Sequence, residues 1–202
     1  MNNIKQMPDP QKDLAFPLMK ALEVRRSKRK WTSEPIFDQD LSNLLWAACG
    51  ISEKKTEKSK QKRTAPSATN CQEIKIYVAK EDGLYLYDEI NHQLILTLTE
   101  DIRDQIGTQK MMKSAPIGLI FVSDYSKFKI YLAKDEIRKW FVSGTDTGFI
   151  SQNIYLYCAA ARLSTTILGL VNREKLGNII GLSSNEKVVY TQVIGNVVIE
   201  KT

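Results

Sequence analysis

The stretch that decides the fold runs from Thr145 to Leu163 and reads TDTGFISQNIYLYCAAARL. Thr145 or Asp146 offers an N-cap, because either side-chain oxygen can accept the free backbone N–H groups of a first helical turn. No proline follows, and the run from Ile154 to Ala161 carries no polar stripe at a 3.6-residue period. A helix that is apolar nearly all round must be covered on every side, by its own domain or by a second chain. At about 1.5 Å per residue it would extend about 25–28 Å, the diameter of a small domain. Gly148 and Ala159 to Ala161 leave room for another helix to approach closely. A core helix of a monomer and a core helix that also forms a dimer interface both fit, and either makes this segment the spine.

Around the spine, the 202 residues are enough for one substantial domain with a sizeable core. A hydrophobic content of 43% with 26% charged residues is that of an ordinary water-soluble domain. Cys49, Cys71 and Cys158 are too few and too unpatterned for a disulfide framework or a zinc site. They read as reduced thiols in a cytoplasm-like compartment. No apolar run reaches membrane-spanning length, and Met1 to Pro17 lacks a signal-peptide core. The net charge of +6 allows a polyanionic partner, but a small phosphorylated ligand needs less charge than that.

In chain order, residues 1–17 carry Pro8, Pro10 and Pro17 and read as an extended arm, either packed on another subunit or frayed. Leu18 to Val24 suits a short helix. It runs into Arg25, Arg26, Ser27, Lys28, Arg29 and Lys30, five basic residues in six positions. Such a run is a solvated face, a nuclear-type signal or a phosphate site. Leu22 and Trp31 tie it to a folded core, and guanidinium forks on a rigid frame suit phosphate. Asp38 or Asp40 can cap a helix closed by Gly50. Glu53 to Arg63, with two acidic and six basic residues, reads as a mobile surface loop. Thr64 to Gln72 is either a loop with a helix start at Ser67 or Thr69, or a set of short polar groups suited to a heteroaromatic ring.

Ile74 to Val78, Leu84 to Tyr87 and His92 to Leu98 form an antiparallel meander, with Asp82-Gly83 as the hairpin turn. The single histidine, His92, lies at the turn into the third strand and has no implied catalytic or metal partner. A helix is expected from Asp101 through Lys113. Ile117 to Val122 is a continuous apolar run, as in a central strand buried on both faces. Asp124 to Val142 reads as an amphipathic helix. After the spine, Thr165 to Val171 is a strand or a turn, Asn172 caps a helix ending near Gly181, and Val188 to Ile199 supplies a last strand interrupted by Gly195. There is no GxGxxG, Walker loop, metal cluster or acid/base dyad.

Several segments together resemble the FMN-dependent nitroreductase family, in its single-domain form related to SagB-type dehydrogenases. They are Arg25 to Arg29 after a short helix, Arg63 to Gln72 before a strand, Gly83 to Asp88 in the hairpin, Gln152-Asn153 in the spine, and Thr165 to Gly169 after it. Order and spacing hold from about residue 15 to the end. The resemblance implies an α+β fold: a mixed, mainly antiparallel sheet flanked by helices around a long central helix, in an intertwined homodimer. One domain would span 18–202, with 1–17 as its arm.

It also implies FMN at the dimer interface. Arg25, Arg26, Ser27 and Arg29 would hold its phosphate and ribityl end. Pro66, Ser67, Ala68 and Asn70 of the other subunit would lie along the ring, with Gln72 nearby and Gln109 reaching it. Thr166, Ile167 and Leu168 occupy the stretch whose backbone approaches the flavin N5 and O4 side; family members often have glycine there, and this chain does not. Lys201 stands where a basic residue is often found near the C-terminus.

Flavin N5 would carry the chemistry, with no catalytic side chain and no metal. The implied activity passes electrons from NADH or NADPH through the flavin to a nitro, quinone or similar small-molecule acceptor by a ping-pong mechanism, in the cytoplasm, without nucleic acid or membrane. Two alternatives share part of these features. One is a specialised SagB-like flavin dehydrogenase or oxidase, with a substrate pocket around residues 124–142. The other is a non-enzymatic basic binding protein using Lys54 to Arg63.

Overall fold

A computed structural model describes residues 3–108 and 114–198, except the side chains of residues 130 and 131. Gln109 and Lys201, both implied as flavin contacts, lie outside the described residues. The centre is a seven-stranded sheet, and every pairing recorded in it is antiparallel. Its strands are β1 (Ile4–Gln6), β4 (Ile74–Lys80), β5 (Gly83–Asp88), β6 (Gln93–Leu98), β7 (Ile117–Asp124), β8 (Leu163–Leu168) and β9 (Glu186–Asn196). They stand in the order β1-β6-β5-β4-β7-β9-β8, which leaves β1 and β8 on the edges. A two-stranded hairpin of β2 (Ile51–Glu53) and β3 (Lys62–Arg63) lies apart from it. The helices are α1 (Leu18–Val24), α2 (Asp38–Cys49), α3 (Ile130–Ala133), α4 (Glu136–Ala160) and α5 (Arg173–Ile180).

Strand β7 is central and buried on both faces, as its unbroken apolar run requires. One face joins α2 and α4 in a core built on Leu44, Leu45, Ile76, Phe121 and Ile154. The other joins α5 through Ile120, Val122, Leu168, Leu176 and Val193. The β4–β5–β6 meander and the Asn172 cap stand as the sequence implies, with Asn172 Oδ1 accepting the Lys175 N–H at 3.1 Å. The same helix ends on Gly181 in the left-handed region, φ 77°.

The spine differs from its reading in where it starts. It begins at Glu136, and Asp135 caps it by accepting the N–H groups of Ile137 and Arg138. Thr145 and Asp146 are interior positions, and the segment read as one helix from Asp124 to Val142 is divided: a tight turn at Tyr125–Lys127, then α3, with only residues 136–142 running on into the spine. Gly144 and Gly148 do not stop it, because a helical glycine costs only about 1 kcal/mol. At 25 residues the helix is about 37 Å long. One chain does not cover all of its apolar surface: Ile137, Phe141 and Phe149 are exposed, the first two by 82% and 73%.

Other differences are local. The expected arm contains β1, which pairs with β6, and Met7 behind it is buried. Neither Asp38 nor Asp40 caps α2. Both lie in its first turn, where negative charge suits the helix dipole, and Asp38 pairs with Lys5. Of the helix expected from Asp101 through Lys113, residues 109–113 lie outside the described residues, and the part up to residue 108 holds a tight turn, Arg103–Gln105, with the Asp101 carboxylate taking the Arg103 N–H and guanidinium. Ser67 does not start an α-helix; Ala68–Asn70 form one tight turn, and Ser67 Oγ accepts the Gln72 N–H. Strand β9 continues through Gly195, where a Cβ would stand 2.5 Å from that of Trp31, so glycine serves close packing rather than a break.

Candidate functional site

The basic run after α1 is fixed by Tyr155 on the spine. The Tyr155 hydroxyl lies 3.0 Å from Ser27 Oγ and accepts the backbone N–H of Ile167 at 3.0 Å. The Arg25 guanidinium lies 5.4 Å from the centre of the Tyr155 ring, within cation–π range. The Lys28 N–H donates to Thr165 O at 3.0 Å, so the run lies along the outer edge of β8. One tyrosine thus joins two of the implied segments, Arg25 to Arg29 and Thr166 to Leu168.

Beside it is a cavity of about 360 Å³ lined by Arg26, Lys28, Tyr155, Arg162 and Thr165 among others. Arg26 folds back to donate to Glu23 O and Arg25 O, and Arg29 donates to Ser27 O. Arg162, at the C-terminal end of the spine, adds a cation that the sequence reading missed. Its signal was position: it is the first charged residue after a long apolar run, where a cation complements the helix dipole. Within β8, Thr166 and Leu168 are buried side chains, so Ile167 is the half-buried member of the three and its N–H is already engaged.

The second segment is held elsewhere on the same helix. Ala68 N–H donates to Asp146 Oδ2 at 2.9 Å. Gln72 is buried: its N–H goes to Ser67 Oγ, its amide to Gln61 O and Asn70 Oδ1, and its carbonyl accepts Lys127 Nζ at 3.0 Å. Pro66 is exposed, while Ser67, Ala68 and Asn70 are half-buried. Thr69, Asn70 and Gln72 all adopt positive φ near 53°, a sparsely populated region for residues other than glycine. Asp146 and Tyr155 are nine positions apart in α4, about 13 Å along its axis. A single chain therefore brings Arg25 to Arg29 together with β8, and anchors Ser67 to Gln72 separately.

Below this segment sit Cys71, Glu73 and Asp146, whose side-chain ligand-type atoms lie within 4.8 Å of one another. Glu73 is fully buried and its carboxyl is raised to about 7, chiefly by loss of hydration. Burial also raises Asp146 above the usual carboxylate range. The Cys71 thiol donates to Glu73 Oε2 at 3.0 Å, and burial with this carboxylate neighbour pushes it up to about 12. Nearby, the residue closing the supposed mobile loop is structural: Arg63, with a side chain 5% exposed, pairs with Glu89 and donates to Ile74 O. His92 is likewise structural. Its ring nitrogens meet Ser42 Oγ at 2.7 Å and Tyr87 OH at 2.8 Å, while Ser42 Oγ donates to Pro8 O of the arm.

The fold and site define an α+β domain with a cationic pocket at one end of its central helix and a strained polar loop midway along it. The model of the nitroreductase family matches residues 22–196, and the chain belongs to that family. A candidate nitroreductase of Methanocaldococcus jannaschii is 28% identical over 174 residues, covering 81% of this chain and 82% of that protein. The crystal structure of a candidate nitroreductase from Ralstonia eutropha JMP134 superposes with a TM-score of 0.88 at 31% identity, covering 98% of this chain and 91% of that one. An NADPH:FMN oxidoreductase from Vibrio harveyi, solved with NAD+, shares the fold at a TM-score of 0.63 and 18% identity, over 89% of this chain and 68% of that one. Among the described residues, no helix is long and apolar enough to cross a membrane.

Proposed function

We propose that this chain is an FMN-dependent oxidoreductase of the cytoplasm that passes electrons from NADH or NADPH to a nitro, quinone or similar small-molecule acceptor, and works as a homodimer. The observation that carries the reading is the Tyr155 hydroxyl, which joins the basic run to β8 beside a cationic cavity. The cavity fits a phosphate in donor chemistry: Arg26, Lys28 and Arg162 line it, and Arg25 and Arg29 stand on the same run. A phosphate monoester carries nearly two negative charges at neutral pH, and each charge-assisted hydrogen bond contributes about 1.5–3 kcal/mol.

When bound, FMN would supply the redox chemistry, taking up hydride from NADH or NADPH at N5 and passing two electrons to the acceptor in a ping-pong cycle. The chain's own groups bind and orient it. Arg25, Arg26, Ser27 and Arg29 hold the phosphate and ribityl end, β8 from Thr166 to Leu168 presents backbone, and Pro66, Ser67, Ala68, Asn70 and Gln72 of the other subunit border the ring. Gln109 and Lys201 belong to the same proposal.

The dimer is supported by apolar surface on two helices: Leu18 and Met19 of α1, and Ile137, Phe141 and Phe149 of α4. Residues 18–202 then form one domain, with 1–17 as its arm. The deciding experiment is the visible spectrum of purified protein with the released ligand identified by mass, followed by anaerobic reduction with NADH or NADPH. Bound FMN bleached by either nucleotide and recoloured by a nitro compound or quinone is the expected result. A colourless protein that takes up no added FMN would end this reading.

A further inference from the structure

We propose that Glu73 and Asp146 share a single proton, and that this proton positions residues 67–72 for cofactor binding, making the flavin site pH-dependent. Glu73 is 0% exposed and Asp146 3%. Glu73 Oε2 accepts the Cys71 thiol and Asp146 Oδ2 accepts the Ala68 N–H, whereas buried Glu73 Oε1 meets no donor. An orphan oxygen in full burial is costly, and the group beside it is a second carboxyl. A proton on Glu73 completes the set, since a carboxylic acid is also a donor and can hydrogen-bond the Asp146 carboxylate.

Burial, the largest cause, raises both carboxyls; the Cys71 thiol bond opposes the rise of Glu73 and the neighbouring Asp146 charge adds to it, while the Ala68 N–H opposes the rise of Asp146. Other charged groups on the surrounding elements are committed elsewhere. Arg63 of β3 is paired with Glu89, Lys127 after β7 donates to the Gln72 carbonyl, and Lys75 of β4 bridges Asp124 and Glu186. Cys71, which donates to Glu73, stays a thiol because burial and this carboxylate raise it.

The pair thereby clips the loop on both sides of the left-handed residues Thr69 and Asn70, through Ala68 before them and Cys71 after them. Loss of the shared proton places two like charges side by side in a buried pocket and works against that clip. Glu73 and Asp146 are positioning residues, and the effect on flavin rests on the placement of residues 67–72 in the proposed site. The pair itself does not.

Two measurements separate these. Difference infrared spectroscopy of the flavin-free protein reads the buried acid directly. A carboxylic C=O band is expected that disappears as pH rises through about 7 and is missing in Glu73→Gln. Absence of the band in wild-type protein overturns the proposal without recourse to flavin or to any variant. Binding is then measured with riboflavin, which lacks the titrating phosphate, from pH 6 to 8.5. If only the protonated pair binds, affinity falls roughly 30-fold across that range, by one-proton linkage about a group titrating near 7. In Glu73→Gln, whose amide still donates to Asp146, the profile is expected to be flat. A wild-type profile that is already flat, or one that persists in Glu73→Gln, overturns the positioning role.

Discussion

Replacing Tyr155 with phenylalanine removes one oxygen and leaves the ring, which is 8% exposed, in place. Two hydrogen bonds go with it, each 3.0 Å long: the one shared with Ser27 Oγ and the one accepted from Ile167 N–H. Ser27 is exposed and regains water, so its loss is small. The Ile167 N–H is backbone on a half-buried strand residue, and leaving such a donor unmet costs about 1–3 kcal/mol. We therefore expect Tyr155→Phe to destabilise the fold by about 2 kcal/mol. For a chain of this size that lowers Tm by about 4–8 °C. No cavity term enters, because the ring stays. The second effect is on the ligand: Ser27 loses its anchor and Arg25 loses the register that sets its fork. A misplaced charge-assisted contact of about 1.4 kcal/mol is a tenfold weaker FMN Kd. Melts followed by circular dichroism give the first number and flavin fluorescence titration the second. Ser27→Ala is the companion, since a double-mutant cycle isolates the hydroxyl–hydroxyl coupling from the Ile167 contribution. A Tyr155→Phe melt within about 1 °C of wild type, with unchanged FMN affinity, would refute the assignment of Tyr155 as the joint between the two segments.

Three further outcomes test other parts of the structure. Arg25→Ala and Arg29→Ala are each expected to weaken FMN binding about tenfold while leaving the melt nearly unchanged; unaltered affinity in both, by fluorescence titration, removes the phosphate assignment. Arg63→Ala leaves Glu89 without its partner in a largely buried position and should cost about 3–5 kcal/mol in urea unfolding, whereas a loss below about 1 kcal/mol would mean the pair behaves as a surface bridge. Burial lowers the proton affinity of His92, so below the ordinary histidine range the unfolded chain binds more protons and stability falls as pH drops; His92→Gln should flatten that acid limb, and an unchanged slope of stability against pH would count against it.

Much of the fold was legible because it follows from periodicity. The unbroken run Ile117 to Val122 admits only a strand buried on both faces, and the alternating runs around Asp82-Gly83 admit only a hairpin. Asn172 and Gly181 bracket α5 because a cap oxygen and a left-handed terminus are local requirements. The start of the spine was not legible, since Asp135 and Asp146 are equally good caps and only packing tells which is interior. The same limit hid Arg63: in a run of basic residues nothing local marks the one whose partner, Glu89, is 26 positions away. Of the site, the basic run was visible as composition. Tyr155 was not, because a tyrosine in an apolar helix looks like core until the partners of its hydroxyl are known.

The placement of Asp146 and Tyr155 gives the spine a meaning beyond packing. Both point their polar ends at segments the resemblance assigns to one flavin site, yet about 13 Å of helix separates them in one chain. A second copy related by a two-fold axis removes that separation. If two spines cross antiparallel near their common midpoint, between residues 150 and 151, the Asp146 end of one meets the Tyr155 end of its partner. The surface at that midpoint suits such a crossing: Gly148, Phe149 and Gln152 are exposed there, and no neighbouring atom lies within 4 Å of a Cβ built on Gly148. The exposed Phe141 and Ile137 continue along the helix. An isologous interface uses each half of the helix twice, so one apolar face would close two sites at once. On the proposed reading, the residues that leave this chain looking incomplete are the ones that assemble its cofactor site. Dimerisation and flavin affinity should then be lost together when a charge is placed at Gly148.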